Sequence, residues 1–152
     1  MTWPLRVFSP VVLLAVCGLP LQAQEGGPAA RTSRDSVFSA AQVQRGASVF
    51  QRACSQCHTR EQFRGAAGFV RNWQGRSFLD VFQQLSSTMP NDNPGALPRR
   101  DYVDVMTYLL RESGYPEGPR DLPLTESSLK AVRIVPLAAP SGNQRYPSRQ
   151  RP

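Results

Sequence analysis

CSQCH, residues 54–58, gathers two of the chain's three cysteines and its only histidine into five positions. Each chemistry that uses such a cluster brings a different architecture with it. A disulfide between Cys54 and Cys57 makes no use of His58. Structural zinc asks for four ligands, and with Cys17 assigned to an N-terminal leader the chain has three obvious ones. A thioredoxin-type dithiol sits in a βαβ setting, and no stretch of this sequence shows convincing strand alternation. The chemistry that employs all three residues is covalent haem attachment, of which C-x-x-C-H is the signature. Two thiols on one helical turn can add across the two vinyl groups at one edge of a porphyrin. The next residue then lies under the ring, where its imidazole can ligate the iron.

Working outward, the residues before the cluster predict a helix that runs into it. Ser39-Ala40-Ala41-Gln42 fits a capping box, and Val43, Ala47 and Phe50, followed by Ala53 or Cys54, recur at helical spacing. Gly46 interrupts this helix at a cost of about 1 kcal/mol relative to Ala, which points to another helix crossing closely there. Residues 59–76 read as an irregular loop punctuated by Gly65, Gly68 and Gly75. Ser77-Phe78-Leu79-Asp80 caps a second helix with Phe78, Val81, Phe82 and Leu85 on its apolar face, ending at Ser86-Ser87-Thr88. MPNDNPG, residues 89–95, is turn chemistry. A last clear helix covers 98–112, with Tyr102, Val105, Met106, Leu109 and Leu110 buried and Gly114 as its stop. A Pro-rich wrap follows, with a short helical turn presenting Leu129 and Val132. Three or four short helices make a thin core for this much loop, and a large apolar cofactor would fill it.

The iron's sixth position falls to Met89, 31 residues after His58 on a polar turn and followed by Pro90. Met106 sits on a helix stripe, where core filling is the usual role of the residue. His/Met ligation raises the reduction potential and leaves no open position at the metal.

The 152 residues carry a net charge of +7, nearly all of it from arginine, with Lys130 the single lysine. No dense basic stripe interleaved with aromatics is present, which argues against nucleic acid as a partner. Arg6, the apolar run Val11–Val16 and Leu21-Gln22-Ala23 have the form of an export signal. That run is too short and too broken by proline for a membrane span. An uncleaved anchor and a lipoprotein signal at Cys17 are the rival readings, the second weakened by Val16 before the cysteine. The organisation expected is a signal peptide at 1–23, a flexible lead-in at 24–38, a helical domain at 39–135 and a disordered basic tail at 136–152.

The Gly46–Phe50 helix, CSQCH, the TMP loop and the final helix with Tyr108 together resemble class I c-type cytochromes. The resemblance implies an all-α, monohaem fold in which the first and last helices cross at Gly46, with Phe50 against Tyr108 or its neighbours. Over residues 41–134 the strings RGASVFQRACSQCH, NWQGRSFLDVFQQLSSTMPNDNPGALPRRDYVDVMTYLLRESGYPEG and DLP…L…I are similar to small cytochromes associated with pyrroloquinoline-quinone dehydrogenases. This implies a separate quinoprotein dehydrogenase as a partner, with a downstream oxidase or cytochrome beyond it. One departure stands out: TREQFRGAAGFV, after His58, lacks the Pro whose carbonyl orients the haem histidine in many class I members. A backbone carbonyl near Gly65–Phe69 is the expected substitute. Trp73 and Arg76 are candidates to hydrogen-bond the haem propionates, against a plain core and a plain solvated reading respectively. Arg45, Arg52, Arg60, Arg64, Arg71 and Arg76 fall in a stretch whose only acid is Glu61. They are candidates to ring the haem edge and steer an acidic partner.

The function expected is a periplasmic, non-catalytic single-electron carrier with one covalent haem c. The alternative is a haem gas sensor or weak peroxidase, which requires a labile Met89. A third reading makes the haem a folding staple of an interaction module.

Overall fold

A computed structural model describes residues 30–137. Within that span lie five helices: α1 Ala40–Ala53, α2 Arg71–Trp73, α3 Phe78–Thr88, α4 Arg99–Glu112 and α5 Glu126–Lys130. A 3₁₀ turn at Arg60–Phe63 follows α1, and two-residue strands β1 Arg31–Thr32 and β2 Val132–Arg133 pair in parallel. The expected all-α class holds, with this one short ladder added.

α1 starts where Ser39 Oγ accepts the Gln42 N–H at 3.1 Å. The reciprocal half of the predicted capping box is absent, because the Gln42 side chain is buried and does other work. It donates to Leu122 O at 3.3 Å and accepts the Leu122 N–H at 2.8 Å, tying the distal wrap to α1. The buried stripe of α1 is Gln42, Gly46, Val49 and Phe50, with Val43 and Ala47 half-covered beside it. It is rotated from the predicted face because Gly46 marks the line of closest approach to α4. A Cβ on Gly46 would lie 2.6 Å from the carbonyl carbon of Asp104 and 2.9 Å from Cβ of Tyr108. Phe50 then packs on Tyr108 with ring centroids 5.3 Å apart. The crossing predicted from the glycine is observed.

α3 has a complete capping box, in which Asp80 Oδ2 accepts the Ser77 N–H at 2.7 Å and Ser77 Oγ accepts the Asp80 N–H at 3.2 Å. The helix continues through Ser86 and Ser87 to Thr88, where side-chain hydroxyls bond back to the carbonyls of Gln83 and Gln84. α4 is the central element: every residue from Tyr102 to Leu110 is buried. It stops at Gly114, whose φ of 96° is left-handed. Leu129 of α5 and Val132 are both buried, as expected.

Both ends of the body differ from the sequence reading. Of the lead-in at 24–38, the described part, 30–38, is packed: Arg31 N–H donates to Ala131 O and Ser33 N–H to Arg133 O, each at 2.8 Å. Val37 and Phe38 are buried. Two adjacent apolar side chains ahead of the Ser39 cap give this segment something to bury, so the body starts before residue 39. At the far end, Arg34 donates to Pro136 O and Leu137 lies beside Gly114. The signal at 1–23, the rest of the lead-in and the tail from 138 onward lie outside the described residues. Among the described residues no helix is long and apolar enough to cross a membrane.

Candidate functional site

The C-terminus of α1 delivers CSQCH. Cys54 N–H donates to Phe50 O at 2.9 Å, which continues the helix by one step. Cys57 N–H and His58 N–H both donate to Cys54 O, at 3.1 and 2.9 Å, so the two thiols and the imidazole share one turn. Cys54, half-buried, and Cys57, exposed, form no disulfide with one another. Burial pushes the Cys54 thiol above its ordinary pKa, with Arg52 opposing more weakly. The His58 ring is half-buried and stands 5.6 Å from the Phe63 ring, which in turn meets Phe50 edge-on at 5.8 Å. Its Nδ1 lies 3.3 Å from Gln62 Oε1. The acceptor for the imidazole is therefore the side chain of Gln62, and not a carbonyl of residues 65–69 as the sequence suggested.

Met89 is the C-cap of α3 and leaves the helix in extended backbone, with its side chain off any buried helical stripe and half-covered. Tyr102 of α4 donates its hydroxyl to Met89 O at 2.7 Å and accepts the Leu97 N–H at 3.5 Å. It thus ties both ends of the MPNDNPGAL loop to the central helix. Sequence reasoning counted Tyr102 only as core. The missed signal was its hydroxyl, since a buried tyrosine needs a partner for that group. Met106 is buried in α4 as core filling.

Trp73 ends α2, half-buried, with its ring 6.3 Å from Phe69. Arg76 is exposed, on backbone pinned by the Ile134 N–H to Arg76 O bond of 2.9 Å. Among the described residues its guanidinium makes no ion pair with a carboxylate. Four of the six arginines of this stretch are otherwise engaged. Arg45 pairs with Asp104 and Asp121, Arg52 with Asp101, and Arg60 and Arg64 with Glu112. They clamp α1 and the 3₁₀ turn to α4 and to the wrap beyond it. Among the described residues, only Arg71 and Arg76 of the six have no acidic partner. The Asp104 carboxylate, then that of Asp121, raises the Arg45 guanidinium above its ordinary pKa, and the Ser39 hydroxyl with Arg45 holds Asp121 below its own.

The residues present fit a haem. The donor set is two thiols and an imidazole on one turn, with a thioether on a tethered loop. Leu79, Leu85, Leu97, Phe63 and Trp73 pack on the core yet remain half-exposed, apolar surface of the kind a flat ring would cover, and Phe63 lies against the His58 ring. Among the described residues no three His, Cys, Asp or Glu side chains converge as a metal cluster. A groove of about 740 Å³ between α1, the 3₁₀ turn and α4 reaches His58, Phe50, Tyr108 and Glu112. Neither cysteine nor Met89 borders it, although Ser55 and His58 of the same turn do.

Residues 41–109 match the family model described as "Cytochrome C oxidase, cbb3-type, subunit III". The chain carries a class I c-type cytochrome domain. The matched span runs from the start of α1 to near the end of α4 and contains CSQCH, Trp73, Arg76 and Met89. No curated protein and no solved structure matches the chain. The cytochrome holds a covalently bound haem c with its iron and acts as an electron carrier with redox protein partners.

Proposed function

We propose that the cytochrome is an exported, periplasmic single-electron carrier that accepts electrons from a separate quinoprotein dehydrogenase and passes them to a downstream oxidase or cytochrome. The observation that carries the reading is the donor set itself: CSQCH folded into one turn, and Met89 on a loop that Tyr102 ties down. Cys54 and Cys57 would hold the haem as thioethers, and His58 and Met89 would ligate its iron. The bound haem supplies a one-electron iron couple. With both His58 and Met89 as ligands, no open position would be left at the metal for substrate or oxygen, and reorganisation would stay small. The soft thioether favours ferrous iron and raises the potential. Trp73 and Arg76 would face the propionates. Arg71 and Arg76, which meet no acid among the described residues, would steer an acidic docking surface toward the exposed edge.

The dehydrogenase assignment is supported by the sequence resemblance over residues 41–134, and the oxidase side by the description of the matching family. The leader at 1–23 supports export. The test is an optical spectrum of the reduced, exported protein with and without carbon monoxide. A low-spin c-type spectrum that carbon monoxide leaves unchanged upholds Met89 as ligand and electron transfer as the function. A clear shift moves the assignment to ligand sensing or peroxide chemistry. Periplasmic fractionation of the haem-stained protein tests the location.

A further inference from the structure

The hydrogen bond at His58 does more than replace a missing proline carbonyl. Gln62 Oε1 accepts the Thr59 backbone N–H at 3.2 Å. A backbone N–H can only donate, so the amide atom facing it is the oxygen and the Gln62 side-chain orientation is fixed. An amide oxygen only accepts. The His58 Nδ1 that faces the same atom at 3.3 Å must therefore carry the imidazole proton. Nε2 is left with its lone pair, the atom a metal needs. Gln62 is held in turn by its own N–H to Thr59 O at 3.3 Å within the 3₁₀ turn, and Phe63 next to it sets the ring's edge at 62°.

We infer that Gln62 is a positioning residue that fixes the tautomer and orientation of the His58 imidazole and lowers the potential of the iron it ligates. The inference rests on the proposed role of His58 as axial ligand. The physical argument is that an acceptor on Nδ1–H draws the proton away and makes the imidazole a stronger donor. A stronger donor stabilises ferric over ferrous iron, which opposes the effect of the Met89 thioether. A side-chain acceptor makes this setting adjustable by substitution, which a backbone carbonyl does not allow.

The test uses holoprotein of the wild type, Gln62→Leu and Gln62→Glu. Midpoint potentials come from optical redox titration, and the His58 Nδ1–H resonance is followed in ¹⁵N-labelled ferrous protein. The wild type should show a slowly exchanging Nδ1–H. Gln62→Leu should lose that protection and raise the midpoint, while keeping a low-spin spectrum. Gln62→Glu, which retains an acceptor, should keep the protected proton and a midpoint at or below the wild-type value. A wild-type Nδ1–H in fast exchange overturns the inference even if Gln62→Leu does not fold, and so does a Gln62→Leu protein with wild-type midpoint and protection. If the wild-type spectra show His58 unligated, the axial assignment fails first, before any variant is read.

Discussion

Gly46→Ala should destabilise the cytochrome although alanine is the better helix former. The propensity change favours the variant by about 1 kcal/mol. Against it stands the crossing with α4. The added Cβ would lie 2.6 Å from the Asp104 carbonyl carbon, 2.9 Å from Tyr108 Cβ, and closer still to the Asp104 carbonyl oxygen. Carbon atoms pack at about 3.5–4.0 Å, so α1 and α4 would have to separate by roughly 1 Å. The obstructing atoms are backbone and a Cβ, which cannot rotate away. Separation also loosens the Phe50–Tyr108 contact and stretches the Arg45–Asp104 pair. Overpacking costs typically 1–3 kcal/mol and occasionally more; the upper end applies to an obstruction by backbone. Net of propensity the variant should lose about 2 kcal/mol, or roughly 8–16 °C in Tm for a body of this size. Thermal unfolding of the holoprotein, followed by circular dichroism, measures it, with Gln44→Ala on the exposed face of α1 as the control. A Gly46→Ala Tm equal to or above wild type would refute the close crossing.

Three other substitutions probe different parts of the site. Tyr102→Phe removes the hydroxyl that holds Met89 O and Leu97 N–H; ferrous protein should then bind carbon monoxide faster than wild type, read by stopped-flow absorbance, with the attached haem unaffected. Arg45→Met leaves the Asp104 carboxylate, 2 % exposed, without its two guanidinium bonds. The cost should be about 2–3 kcal/mol by denaturant unfolding, at the low end for a broken buried pair because the half-exposed arginine site admits water. Asp80 is held below the usual carboxylate range by the Ser77 N–H and then the Ser77 hydroxyl. Its stabilising effect is present above the unfolded value near pH ~4 and is lost as pH falls through the folded one. Asp80→Asn should therefore flatten the loss of stability below about pH 4 in a pH series of urea melts.

The sequence was most legible where one residue type has few uses. CSQCH admits few chemistries, and Gly46 in a run of helix formers marks its crossing in the sequence alone. Helix positions followed from period and caps, because Ser77-Asp80 and the apolar stripe of α4 are local signals. What escaped were pairings made over long separations. Gln42 looked like half of a capping box, yet it bonds Leu122, 80 positions away. The basic run at 45–76 looked like a free patch, yet four of its arginines meet acids of α4 and the wrap beyond, which lie 48 or more residues downstream. Residues 30–35 looked polar and loose because the partners of Arg31 and Ser33, at 131–135, come a hundred residues later. Gln62 was passed over because a search for backbone acceptors does not consider a side chain one turn away.

These long-range pairings converge on α4, and that convergence bears on the function. α1 is seated on α4 at Gly46, and through Phe50 and Cys54 it fixes the turn that carries both thiols and His58. Met89 is fixed to the same helix by Tyr102. The two proposed axial ligands therefore take their positions from one rigid element buried along nine consecutive residues. A carrier that exchanges single electrons needs its ligands to stay in place in both oxidation states. An enzyme working at the metal needs one of them to leave. Tethering both to a single buried helix favours the first requirement. It also makes the two sides separable by experiment. Loosening Tyr102 should affect the methionine side alone, visible as carbon monoxide binding, and altering Gln62 should shift the potential without opening the iron. If either variant produced both effects, the two ligand segments would be coupled through something other than α4.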